Sequence, residues 1–500
     1  MTAPVLMVVG TASSVGKSVL VTALCRILRQ DGVRVAPFKA QNMSNNADVT
    51  PDGLEIGRAQ SEQAAAAGLA PRVEMNPVLL KPQGDRTSQV VLNGRPAGLL
   101  TSADFDRRAE FWPHVTSALD TLREGFEVVV VEGAGSPAEP NLYDRDIVNM
   151  AVARYAHATT VLVGDIDRGG VFAHFVGTLA LLAPADRALV RGLIINRFRG
   201  DPVLLEPAIR DVEARTGVPV LGVIPWIDHL DVAQEDAVVL ERGSSGAAER
   251  GMFDVAVIQL PRIANFDDFD PLAAEPGVRV RYVERPEDLG EPGLLVIPGT
   301  KATIADLEWL RASGLDEVIR AHAARGGAVL GVCGGMQMLG ERLLDPGGVE
   351  AAAGSATDGL GLLSLETTFV ADKTTRRARG HIAAGRGHWS AVRGHSVEGY
   401  EIHMGRTTPT STALDPLLVL DGHEDGAVSL DGRIAGTYLH GLFTSDAFRR
   451  TLLRSLGWRD PGASGSAADR REREFDRLAG AVREHLDLTF LRDALGLTAP

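Results

Sequence analysis

Residues 5–30 read VLMVVGTASSVGKSVLVTALCRILRQ, and this stretch decides the fold of the first half of the chain. Residues 5–9 form a short, continuously apolar run, as expected for a strand covered on both faces. A loop with a glycine at its start, residues 10–18, ends in Gly16-Lys17-Ser18 and leads into a helical pattern over 19–30. In that context the loop N–H groups and the helix N-terminus cradle phosphate oxygens. Lys17 would carry charge to the β- and γ-phosphates, and Ser18 Oγ would ligate Mg²⁺. The loop departs from a strict G-x-x-x-x-G-K-[ST] pattern. Thr11 stands where the first glycine belongs, and Gly10 comes one residue early. ATP is therefore expected at Gly10, Thr11, Gly16, Lys17 and Ser18. The competing reading is a glycine turn with an incidental lysine, which the flanking strand and helix disfavour.

Working outward, apolar runs recur at 33–38, 128–131, 160–163, 192–196 and 218–224, mostly with helical stretches between them. That alternation predicts a parallel sheet with helices on both faces. Its strand ends should carry the ligand. Glu132 ends one run and is expected to hold Mg²⁺, or else to cap the turn of residues 133–135. Asp165, Asp167 and Arg168 follow another run, as a substrate contact or a plain salt bridge. Asn196 ends a third and is expected to contact ATP, with a turn asparagine as the alternative.

Residues 231–251 are rich in Gly, Ser, Ala and charge and read as a linker. A second α/β series begins at 254–260 and continues through 278–283, 293–297 and 328–332. It ends with runs near 399–404 and 433–439. Residues 346–358 look like a flexible insertion. Phe475, Leu478, Val482 and Leu486 lie at helical spacing in the tail. The expected division is 1–230, a P-loop synthetase domain; 231–251, a linker; 252–446, a second α/β domain; and 447–500, a helical tail packed on the body.

The run at 328–332 enters GVCGG, which places Cys333 in a G-x-C-x-G elbow. Flanking glycines permit a sharp strand-to-helix turn and expose the sulfur at a helix N-terminus, where the dipole favours a thiolate. The Gly334 N–H and the turn centred on Gly299 are expected to form an oxyanion hole. His440, at the end of 433–439, is the expected base, with His403 as its rival. Cys25 sits inside a helix at core spacing.

The chain has 500 residues, with 51 Lys plus Arg against 65 Asp plus Glu, for a net charge of −14. That balance argues against a nucleic-acid binder. Two cysteines make neither a disulfide framework nor a zinc pattern. No signal peptide and no membrane-length apolar run are visible. A cytoplasmic protein is expected.

Several blocks then become specific: GTASSVGKS, FKAQNMSNN, EIGRAQ, NPVLLKP, EGAGSPAE, DIDRGGVFA, INRFRGD, PGTKATIADL, GVCGGMQMLG, GYEIHMGRT and GTYLHGLF. Together they resemble the cobyric acid synthases, glutamine-dependent amidases of cobalamin biosynthesis, from residue 1 to about 450. QNMSNN and DRGG separate that family from the related a,c-diamide synthases and dethiobiotin synthetases. The resemblance implies an N-terminal P-loop NTPase-like domain, similar to dethiobiotin synthetase. It implies a C-terminal class I glutamine amidotransferase-like, flavodoxin-like sheet. The implied substrate is a small corrinoid, adenosylcobyrinic acid a,c-diamide, amidated at its b, d, e and g carboxylates. ATP, Mg²⁺ and L-glutamine are consumed or required, and neither nucleic acid nor membrane is a partner. By the same resemblance Cys333 is the glutaminase nucleophile, His440 its histidine, and Gln337 the glutamine that follows on the helix. Lys39, Lys81 and Arg168 are expected to hold corrin carboxylates. Amidotransferases of this class usually carry an acid two residues after the histidine, and here Leu442 stands there. Glu401 is the candidate replacement. A poorly oriented histidine would make glutamine hydrolysis slow until the partner site fills. Two other readings stay open: an amidoligase on a different acid, and a P-loop switch ATPase with a glutamine-sensing domain.

Overall fold

A computed structural model describes residues 2–84, 86–228, 230, 251–462 and 465–497. Apart from Gly251, the expected linker lies outside the described residues. The apolar runs of the first half form a six-stranded parallel sheet in the order Val220–Pro225, Val190–Phe198, Thr159–Asp165, Val5–Gly10, Val128–Glu132, Val35–Phe38. The strands are apolar on both sides because each face of the sheet carries its own buried cluster. Val5–Gly10 is central, so Gly10, Glu132 and Asp165 finish side by side on one rim.

The second half builds another mainly parallel sheet. Its order is Val278–Val283, Phe253–Ile258, Leu294–Ile297, Val329–Val332, Ile434–Thr437, with Ala427–Val428 antiparallel at the edge. The run near 399–404 was expected in this sheet. It belongs instead to the long strand Ser396–Pro409, paired antiparallel with Leu365–Ile382 in a separate sheet. The strand directly preceding it is its antiparallel partner, so the two form a hairpin and need no crossover helix. Nor are residues 346–358 a loose insertion. Asp345 accepts from the N–H groups of Val349, Glu350 and Ala351, and Ser355–Asp358 pairs with Arg342–Asp345.

Residues 41–101 hold what the α/β pattern does not foretell: a four-stranded sheet, a two-stranded sheet and the short helix Arg58–Ala66. This insert packs against the second half. Ala47, Val49, Leu79 and Val91 share a buried cluster with Tyr400 and Ile402. In the tail, helix Ala467–His485 buries Phe475, Leu478 and Val482 against helix Lys17–Gln30, and Arg26 pairs with Glu472 and Asp476. The tail thus returns to the nucleotide-binding half. Among the described residues no helix is long and apolar enough to cross a membrane.

Candidate active sites

The phosphate loop is braced from several sides. Gly16 has φ 97°, and a Cβ there would lie 2.2 Å from Asn196 Nδ2. That amide donates to the Val15 carbonyl at 2.8 Å, so Asn196 is engaged in holding the loop backbone. Thr11 N–H donates to the Val163 carbonyl at 2.9 Å. Lys17 Nζ arches over the loop, donating to the carbonyls of Ala12 (2.9 Å) and Gly135 (3.2 Å).

Ser18 Oγ donates to Glu132 Oε1 at 2.8 Å. Lys39 Nζ donates to the same oxygen at 2.9 Å, and Gln63 Nε2 to the other at 2.6 Å. Burial alone would raise the Glu132 pKa, but Lys39 and these hydrogen bonds hold it below the ordinary carboxylate range. A cavity of about 470 Å³ opens over the loop, with Lys17, Ser18, Lys39, Arg108, Glu132 and Arg145 among its walls. A hydroxyl beside an ionised carboxylate is the kind of donor pair that binds Mg²⁺ together with phosphate oxygens. Among the described residues no cluster of three His, Cys, Asp or Glu could hold a metal unaided.

The acid pair at the rim is tied up in ion pairs. Asp165 lies 2.8 Å from Arg197 and 3.7 Å from Arg168, and Asp167 lies 3.2 Å from Arg199.

In the second half, strand Val329–Val332 turns through Cys333 into helix Gly334–Leu339. Cys333 has φ 50° and ψ −110°, the strained backbone of a sharp elbow. The turn closes because Gly335 lacks a side chain; a Cβ there would sit 1.9 Å from the Ile297 carbonyl oxygen. Gly299 abuts the reacting groups, since a Cβ on it would lie 3.0 Å from His440 Cε1 and 3.7 Å from Cys333 Cβ. A Cβ on Gly334 would lie 3.2 Å from the Thr300 nitrogen, so the turn of residues 298–300 and the elbow press together. Gln337 is fixed by Thr303 Oγ1 (3.0 Å) and Tyr438 OH (3.1 Å).

Cys333 Sγ donates to the Ile402 carbonyl at 3.6 Å and shares a cavity wall with His440, whose Nδ1 lies 2.6 Å from Asp268 Oδ2. Asp268 Oδ1 accepts from Gly441 N–H at 2.8 Å. The Tyr400 ring stacks on the imidazole, with centroids 5.3 Å apart. Burial would lower the His440 pKa, but the Asp268 carboxylate and the Cys333 contact raise it to about 10. The acid that orients His440 is therefore Asp268, not Glu401. Glu401 pairs with Arg376. The rival His403 bonds the Gly405 carbonyl through Nδ1, stacks on Tyr438, and is driven down to about 4 by burial. The premise of a loosely held His440 does not survive this geometry.

Lys81 lies away from the phosphate loop. It pairs with Glu55 at 2.6 Å, and Lys373 reaches the same carboxylate from the second half at 2.5 Å. Burial would raise the Glu55 pKa, yet Lys373 and Lys81 hold it at about 2. Breaking a buried pair of this kind costs about 3–5 kcal/mol, so Glu55, held by Lys81 within the insert and by Lys373 from the second half, anchors the two halves together. A small cavity of about 50 Å³ covers Cys333 and His440, with Lys81, Lys301, Glu350 and Lys373 on its wall. Glu350 accepts from Ile304 N–H at 3.2 Å and from Thr303 Oγ1 at 3.3 Å. Asp268, Gln63 and Glu350 carry no local sequence signal. Each comes from a different loop or helix than the residue it serves.

Residues 6–238 match the CobQ/CobB/MinD/ParA nucleotide binding domain, and residues 254–448 match the CobB/CobQ-like glutamine amidotransferase domain. A cobyric acid synthase of Chloroflexus aggregans is 52% identical over 97% of this chain and 98% of its own length. One from Roseiflexus castenholzii is 53% identical over 97% and 98%. The chain belongs to the cobyric acid synthase family. Among solved structures, a glutamine amidotransferase is similar at 19% identity, covering 41% of this chain and 98% of that one, with a TM-score of 0.32. Membership in the family gives both halves an enzymatic setting: a nucleotide-binding sheet and an amidotransferase sheet on one chain.

Proposed function

We propose that this chain makes cobyric acid by amidating the b, d, e and g carboxylates of adenosylcobyrinic acid a,c-diamide, using ATP and glutamine. The observation that carries the reading is the presence on one chain of two built sites, the Ser18–Glu132 pair at a phosphate loop and the Cys333–His440–Asp268 triad. An amidase of this kind needs one site to activate a carboxylate and another to release ammonia. The division into a synthetase unit ending near residue 230 and an amidotransferase unit from 252 to 446 follows the same logic.

A carboxylate oxygen leaves poorly, so the corrin carboxylate first attacks the γ-phosphorus of ATP, giving an acyl phosphate and ADP. Lys17 stabilises charge on the transferring group. Ser18 and Glu132 would hold Mg²⁺, which supplies Lewis-acid neutralisation of phosphate charge when bound. Lys39 keeps Glu132 ionised. Arg108 and Arg145 line the same cavity and suit the remaining corrin carboxylates.

At the second site Cys333, as thiolate, attacks the glutamine amide carbon. Backbone N–H groups of Gly334 and the turn around Gly299 receive the oxyanion. His440, protonated and held by Asp268, gives a proton to the departing ammonia, leaving a γ-glutamyl thioester. It then takes a proton from water as water cleaves the thioester to glutamate. Glu350 and Lys301 on the cavity wall match the α-ammonium and α-carboxylate of glutamine. Ammonia displaces phosphate from the acyl phosphate to give the amide. Its supply of ATP and glutamine suits a cytoplasmic location.

Lys17→Ala is expected to lower amidation about 10²- to 10³-fold, as for loss of one charge stabiliser. The loss should be the same with glutamine or free ammonium as nitrogen donor, while glutamine hydrolysis persists. Product formation with each donor checks this. Full ammonium-dependent activity in the variant would remove the phosphate loop from the reaction.

A further inference from the structure

The helix Arg58–Ala66 belongs to the nucleotide-binding half, yet its polar residues Gln60, Ser61, Glu62 and Gln63 are all buried. Gln63 donates to Glu132 at the phosphate loop. At its first residue the helix meets the other site. Arg58 Nε lies 2.7 Å from Asp267 Oδ2, and Arg58 Nη1 lies 3.3 Å from Asp48 Oδ2. Asp267 directly precedes Asp268, the acid on His440.

The surrounding contacts lock that turn to the insert. Asn265 N–H donates to Asn46 Oδ1 at 2.7 Å, and Ala47 N–H donates to Asn265 Oδ1 at 2.9 Å. Arg58 N–H donates to the Asn46 carbonyl at 3.1 Å. Asn265 itself is in the left-handed region at φ 53°. Segment 263–270, IANFDDFD, contains three acids and no cation of its own.

We propose that Arg58 is a positioning residue for the glutaminase, holding the Asp267–Asp268 turn so that Asp268 grips His440. The proposal rests on Cys333 and His440 being that glutaminase. Asp267 and Asp268 are neighbouring buried carboxylates that repel each other, and Arg58 is the cation set against Asp267. Asp268 keeps one oxygen on His440 Nδ1 and the other on Gly441 N–H. Without Arg58 the turn loses its cationic contact to the insert and is free to swing toward another donor, which releases the imidazole. The glutaminase triad is thus completed by a side chain from the half that binds nucleotide.

The test uses the full chain. Arg58→Gln should lower kcat for glutamine hydrolysis about 10²-fold, the effect of a misplaced catalytic group, with KM for glutamine little changed. Ammonium-dependent amidation should stay at the wild-type rate. Arg58→Lys should recover most of the loss. Asp267→Asn added to Arg58→Gln should cost far less than the product of the two single effects, because both act through one contact. Equal losses with glutamine and ammonium, or an unchanged glutaminase kcat in Arg58→Gln, would overturn the proposal. Glutaminase surviving in Cys333→Ala would overturn the underlying reading as well, and so separates the two failures.

Discussion

Cys333→Ala is expected to abolish glutamine-dependent amidation while leaving ammonium-dependent amidation intact. Alanine keeps the elbow, whose shape depends on Gly335 packed against Ile297, and removes only the sulfur. No other described thiol can substitute, since Cys25 is buried in helix Lys17–Gln30 with its thiol pushed far up by burial and by Glu132. Loss of a nucleophile whose partners act as a unit lowers the rate on the order of 10⁴-fold or more. The phosphate loop lies in a different sheet and does not use Cys333, so ammonium supplied directly should still reach the acyl phosphate. Glutamate release and corrin amidation, measured side by side with each nitrogen donor, check this. Parallel loss with both donors would mean that Cys333 serves the fold and not the glutaminase.

Asp268→Asn should produce the second-largest effect, a fall of about 10⁴-fold in glutamine hydrolysis, the size known for a triad acid turned to its amide. The substitution preserves volume and the acceptor for Gly441 N–H. It removes the charge and lets the amide stabilise the wrong imidazole tautomer. The His440 pKa, raised to about 10 chiefly by Asp268 against burial, should fall in the variant. NMR titration of the His440 ring reads that shift directly. Glu401→Gln is the matched control, because Glu401 serves Arg376. Near wild-type glutaminase in Asp268→Asn, with loss in Glu401→Gln, would reinstate the acid expected from the sequence.

The contrast between Asp268 and Glu401 shows what the chain makes legible. The phosphate loop and the cysteine elbow are local: strand, glycine turn and helix follow one another directly along the chain, and backbone chemistry dictates them. Glu132 is nearly as local, because a strand end in a parallel sheet points at the ligand rim. Asp268 is 172 positions from His440, and no periodicity links them. Lys81 illustrates the same limit. From the sequence this lysine is expected to hold a corrin carboxylate, and only the tertiary structure shows it buried against Glu55, which Lys373 also reaches. The insert at 41–101 escaped because several of its strands are only three residues long, too short for periodicity to distinguish them from loops. Asn196 reads correctly as a rim residue, but its partner, the Val15 carbonyl, comes from the phosphate loop.

The measurement that tests the account most directly is mass spectrometry of the corrin after incubation with adenosylcobyrinic acid a,c-diamide, ATP, Mg²⁺ and glutamine. The account predicts stepwise replacement of OH by NH₂ at the four remaining carboxylates, with ADP and glutamate formed in step. An unchanged corrin, with glutamine still hydrolysed at Cys333, would contradict it.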